Sequence, residues 1–100
     1  MNPQEDPLEA KTNLIVKNEV GLHARPAALF VKTANKFQSK IMVRNLTRDS
    51  KAVPAKSILS VLTLAVGCNH EINIEAEGPD AEAAVAALKH LVESDFVDEH

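Results

Sequence analysis

The chain of 100 residues is poor in cysteine, with one, and in glycine, with three, and it has no excess of positive charge. Cys68 alone makes no internal disulfide and lacks the spaced Cys and His partners of a zinc site, so a reducing, cytoplasmic setting is expected. No G-x-x-x-x-G-K-[ST] loop is present and no carboxylate cluster is placed for Mg²⁺, which leaves no visible way to bind ATP. A formal net charge of −3 argues against sequence-independent nucleic-acid binding, which needs clustered positive charge. The start, "MNPQEDPLEAK", has no apolar h-region and no later apolar run reaches spanning length, so neither export by that route nor membrane insertion is expected. Repeats and low-complexity segments are absent too, and His70, His90 and His100 are scattered bystanders that suggest no metal-ligand set.

What is present fits one domain: 45% hydrophobic residues over a length too short for two cores. Residues 1–11, acidic and broken by prolines, read as a flexible tail, and residues 12–100 as the domain. "TNLIVKN", Thr12 to Asn18, alternates as a strand with Leu14 and Val16 inward. The period then changes. Ala27, Phe30, Ala34 and Phe37, with Val31, form a helical stripe starting at about Arg25 or Pro26. "KIMVR", Lys40 to Arg44, and a short "SKAV" strand closed by Pro54 should form a hairpin. A short helix "ILSVLTLA" follows Ser57, a strand "HEINIEAE" runs from His70 to Glu77, and Asp80 is placed to cap a helix whose stripe is Ala81, Ala84, Val85, Leu88, Leu91 and Val92. The order β-α-β-β-α-β-α gives an α+β fold, helices on one face of a small antiparallel sheet and the other face wet. Strand order stays open, since a ferredoxin-like split βαβ begins the same way.

One stretch carries chemistry. In "VGLHARPAAL", Val20 to Leu29, Pro26 suits the first helical position, where its missing N–H costs nothing, and His23 lies at the helix mouth. Free backbone N–H groups and aligned peptide dipoles there attract a phosphate or carboxylate, and the Arg25 guanidinium can grip two phosphoryl oxygens at once. The same positive end disfavours an imidazolium, so His23 is expected to be a neutral nucleophile, able to hold a phosphoryl group as a phosphoramidate. The donor should be another phosphorylated molecule. Spacing alone leaves open a plain polar loop before a proline-started helix.

"NEVGLHARPAALFVKTANKF", "AKSILSVLTLA" and "HEINIEAEGPDAEAAVAALKHLVES" together resemble HPr, the histidine-containing phosphocarrier family of the bacterial phosphoenolpyruvate-dependent sugar phosphotransferase system. The likeness covers Thr12 to Ser94, with the signature G-L-H-A-R-P-A complete from Gly21 to Ala27. It implies an open-faced β-sandwich, three helices on a four-stranded antiparallel sheet. It implies phosphorylation of His23 through Nδ1, with Arg25 binding the phosphate. Enzyme I would be the donor and enzyme IIA domains the acceptors, without a cofactor, and the chain would be a monomeric carrier and not an enzyme in its own right.

The resemblance also puts Ser57 at the family's regulatory position, modified by an HPr kinase/phosphorylase and read by a regulatory protein. Leu59, Ser60 and Pro54 depart from the common pattern there, and a serine at a helix start is a cap in any case. "ILSVLTLA" is apolar on more than one side, so part of it should stay exposed. By the same likeness Ile58, Leu59 and Leu62 form the partner-docking surface, while Val61 and Leu64 read as core. Two other functions remain: a regulatory HPr-like binding module switched at Ser57, and a nitrogen-type phosphotransfer carrier without sugar transport. Retention of His23 and Arg25 favours the carrier over the module, because serine-only relatives lack the histidine.

Overall fold

Alternation of apolar and polar residues along the strands decides which face of the sheet is dry. In the computed structural model, which describes residues 8–97, the elements are β1 (Glu9–Val16), α1 (Ala24–Ala34), β2 (Lys40–Asn45), β3 (Val53–Pro54), α2 (Ile58–Thr63), β4 (His70–Glu77) and α3 (Ala81–Glu93). The sheet runs β1-β4-β2-β3 and every neighbouring pair is antiparallel, so β4 sits between the two strands that flank α1. That settles the strand order left open by the sequence.

Register puts Leu14 opposite Ile72 and Thr12 opposite Ile74, with Val43 on the far side of Ile74. This inner face meets Ala27 and Phe30 of α1, Val61 of α2 and Leu88 of α3, all of them fully buried. Full burial of a side chain such as Phe30 or Ile74 contributes about 1.5–3 kcal/mol. The outer face carries Glu9, Lys11, Glu75, Glu77 and Lys40, all of them exposed. The stripe expected along α3 is buried at all six positions. The fold is the α+β open-faced sandwich, in the order β-α-β-β-α-β-α.

Several boundaries differ from the sequence reading. β1 starts at Glu9, so residues 9–11 belong to the sheet and not to a tail; residues 1–7 lie outside the described residues, as does His100. Glu and Lys are poor strand formers, but pairing of Glu9, Ala10 and Lys11 with Glu77, Ala76 and Glu75 overrides that preference. β1 also ends at Val16, two residues short of Asn18. The hairpin forms, but its second strand is Val53–Pro54 and includes the proline, which pairs with Met42 at the sheet's edge, where a missing N–H is tolerated. α2 stops at Thr63, and α1 starts at Ala24, which makes Pro26 its third residue. The third residue of a helix still has no intrahelical acceptor for its N–H, so the proline fits there too.

Asp80 precedes α3 as expected, but its side chain makes no cap hydrogen bond. Its carboxylate instead accepts from the Gln38 and Ser39 amides, each at 2.9 Å, and from the Ser39 hydroxyl. The Ser39 hydroxyl, followed by the Gln38 amide, holds the carboxyl below its ordinary value of 3.8. A carboxylate with a depressed folded-state value stabilises the fold fully above its unfolded value, about pH 4, and loses that contribution as the pH falls through the folded value. Asp80→Asn should therefore melt at a lower temperature than wild type at pH 7, and the gap should close as melts are repeated toward pH 2.

Candidate functional site

Two tethers aim the segment that enters α1. The Gly21 amide donates to the Asn18 carbonyl at 3.2 Å, closing a tight turn, and the Leu22 amide donates to the Val66 carbonyl at 2.9 Å. Gly21 has φ +66, and a Cβ on it would lie 2.7 Å from the Gly67 Cα and closer still to the Val66 carbonyl oxygen. No residue but glycine fits that approach without moving the backbone. Leu22 is buried beneath, and His23, next in the chain, is exposed.

His23 is the residue before the first turn of α1, with extended backbone (φ −130, ψ 160) and no hydrogen bond from its side chain to the helix end. The imidazole is left for other work. The α1 ladder begins with the Ala27 amide donating to the His23 carbonyl at 3.5 Å, so the Ala24 and Arg25 amides precede it. Arg25, also exposed, is the second residue of the helix. No acidic side chain stands in the first turn to compete for an anion. Ala24 has φ +51, a left-handed conformation that costs a non-glycine residue about 1–2 kcal/mol. Such strain is tolerated where surrounding structure fixes the backbone, here by the Gly21 and Leu22 tethers on one side and the buried Ala27 on the other. Ala24→Gly should raise stability by about 1 kcal/mol in a urea melt, since glycine takes this conformation freely.

α2 runs alongside in the opposite direction. Asn35, at the end of α1, donates to the Lys56 carbonyl at 3.1 Å just before α2, whereas Leu22 meets Val66 just after it. His23 therefore lies at the Leu62 end of α2 and Ser57 at the other. The Ser57 hydroxyl accepts from the Ser60 amide at 3.2 Å and caps α2 as its sequence position suggests. Val61 and Leu64 are buried, and Ile58, Leu59 and Leu62 are exposed, Leu59 by 75%. Val20, in the turn before His23, is also exposed, by 53%. Two concavities, of about 520 and 630 Å³, lie on the open sheet face and beside β1; neither includes His23, Arg25 or Ser57.

Three features escaped the sequence. Val20 is one, and the turn residue Asn18, whose Asn-x-x-Gly spacing with Gly21 is a common β-turn signature, is another. The third is His70, which is not a bystander. Its Nδ1 accepts from the Gly67 amide at 2.9 Å and lies 3.1 Å from Nδ2 of the buried Asn45, which also donates to the Leu64 carbonyl. Its ring thus holds the loop that presents Val66 to Leu22. Cys68 and His90 are exposed, and Met42 is half-buried.

Comparison with known proteins gives a consistent picture. A family model described as "PTS HPr component phosphorylation site" matches residues 10–94. The chain is 48% identical to the phosphocarrier protein HPr of Treponema pallidum over 84% of its own length and 92% of that protein. It is 53% identical to a multiphosphoryl transfer protein of Vibrio cholerae, matching 73% of its own length but spanning only 18% of that longer protein. Its fold is similar to the crystal structure of HPr-C-His from Thermoanaerobacter tengcongensis, with TM-score 0.84 and 46% identity over 91% of this chain and 99% of the other.

Proposed function

The chain belongs to the HPr family of phosphotransferase-system phosphocarriers, and from that premise we propose that His23 accepts a phosphoryl group from phospho-enzyme I and passes it to enzyme IIA of a sugar phosphotransferase system. The observation that carries this reading is the exposed His23 imidazole at the mouth of α1, beside Arg25 and not used as a cap. In the forward step the ring Nδ1 lone pair forms a bond to phosphorus while the bond from phosphorus to the donor breaks, its electron pair staying on the donor as the leaving group. The phosphoryl oxygens face the amides at the helix end and the Arg25 guanidinium; the dipole contributes about 0.3–1 kcal/mol at an exposed position. These groups hold the anion equally well whichever partner is present, which suits a reversible carrier and not an enzyme with turnover of its own. The step needs no cofactor.

In the same proposal Ile58, Leu59 and Leu62 are the docking surface for both partners, which reach His23 over the Leu62 end of α2. Exposed leucine contributes little to the fold, so Leu59→Ser should leave stability within about 0.5 kcal/mol. The expected effect is a rise of about tenfold in the KM of enzyme I for this carrier, the size of a lost interface contact of 1–2 kcal/mol. Ser57 is proposed as a second phosphorylation site, used by an HPr kinase/phosphorylase. A phosphate there keeps company with the start of α2 but sets about two negative charges beside the docking residues and would weaken binding of an acidic partner. The protein is proposed to work as a cytoplasmic monomer; no helix among the described residues is long and apolar enough to cross a membrane.

The test is incubation with phosphoenolpyruvate and enzyme I, which should add one acid-labile phosphoryl group that enzyme IIA then removes. No gain would refute the carrier reading. An acid-stable label from ATP and HPr kinase, lost in Ser57→Ala, would establish the regulatory site, and its absence would leave Ser57 as a cap alone.

A further inference from the structure

We propose that Asn18 is a positioning residue for His23, its side-chain amide clamping the Gly21 carbonyl so that the chain enters α1 with the imidazole turned outward. The proposal rests on the carrier reading above. Asn18 bonds Gly21 from both sides: its main-chain oxygen accepts from the Gly21 amide at 3.2 Å, and its Nδ2 donates to the Gly21 carbonyl at 2.9 Å. These bonds lock the peptide planes on either side of Gly21, two residues from His23. On the opposite side Val66 leaves no room for the segment to shift, because it already holds the Leu22 amide and touches the space where a Gly21 Cβ would be.

The other end of the same side chain tells against a purely structural role. Asn18 Oδ1 is buried, and among the described residues it is the one buried side-chain polar atom with no hydrogen-bond partner. Burial of an acceptor without a donor opposes folding, so the amide is a weak choice for stability alone. The one bond the amide makes is spent on the backbone that carries the nucleophile.

The experiment compares wild type, Asn18→Ala and Asn18→Asp, the last being the same size but unable to donate to Gly21. Removing the orphaned oxygen offsets loss of the clamp in Asn18→Ala, so its thermal midpoint should stay within about 4 °C of wild type. Initial rates of phosphoryl uptake from phospho-enzyme I, measured far below the midpoint, should fall at least tenfold in both variants. The ring nitrogen resonances of His23 in the unphosphorylated protein should move in both. Wild-type uptake rates in either variant would overturn the positioning role, as would a large drop in midpoint with normal uptake per folded molecule. Should wild type itself take up no phosphoryl group, the carrier reading fails and the His23 resonances still decide: unmoved signals refute the clamp, and displaced signals support it.

Discussion

Replacing His23 with alanine is expected to abolish acid-labile phosphorylation while leaving the fold intact. The side chain is exposed and makes no capping bond, so its loss should change stability by no more than about 0.5 kcal/mol. No other described histidine can take over. His70 is half-buried and its Nδ1 already accepts from the Gly67 amide. His90 lies in the last turn of α3, where carbonyl dipoles repel a phosphoryl group instead of gathering it. Mass measurement after incubation with phosphoenolpyruvate and enzyme I should therefore show the full label on wild type and none on His23→Ala. A label of equal size on the variant would place the chemistry elsewhere.

Gly21→Ala should have the second largest effect, and on both stability and transfer. The left-handed backbone at Gly21 costs an alanine about 1–2 kcal/mol, and its new Cβ would overlap the Val66 carbonyl oxygen. Relief requires the Leu22–Val66 hydrogen bond to lengthen or the loop after α2 to retreat. We expect a loss of at least about 2 kcal/mol, read as a fall of about 10 °C in the thermal midpoint. Because Leu22 is the last anchor before His23, phosphoryl uptake by the folded fraction should fall as well. An unchanged midpoint would mean that the close approach to Val66 does not exist in solution.

How much of this was readable in advance depends on how far apart the interacting residues lie. β4 and α3 were plain from period alone, since each shows one face to the core along its whole length. The helix start after His23 was legible because Pro26 and the apolar stripe behind it are local signals, but the spacing left a plain polar loop open, and the phosphoryl roles expected of His23 and Arg25 came from the family resemblance. Asp80 misled for the opposite reason. A residue that precedes a helix is normally its cap, but Ser39, 41 positions earlier, competes for the same carboxylate and wins. Glu9 and Lys11 looked like tail because only their pairing with β4 makes them strand. The positive φ of Ala24 had no signal either, because alanine is the residue that would not be chosen for it. The exposure of Ile58, Leu59 and Leu62 was foreseeable in kind, as a six-residue helix cannot bury all sides.

The central claim is that the end of α1 receives the phosphoryl group. Nitrogen-15 and phosphorus-31 NMR of the protein before and after phosphorylation tests it most directly. A phosphorus signal coupled to His23 Nδ1 is expected, together with downfield shifts of the Ala24 and Arg25 amide protons as they take up the new oxygens. A phosphorus bonded to any other residue, or amides at the helix mouth that do not respond, would contradict it.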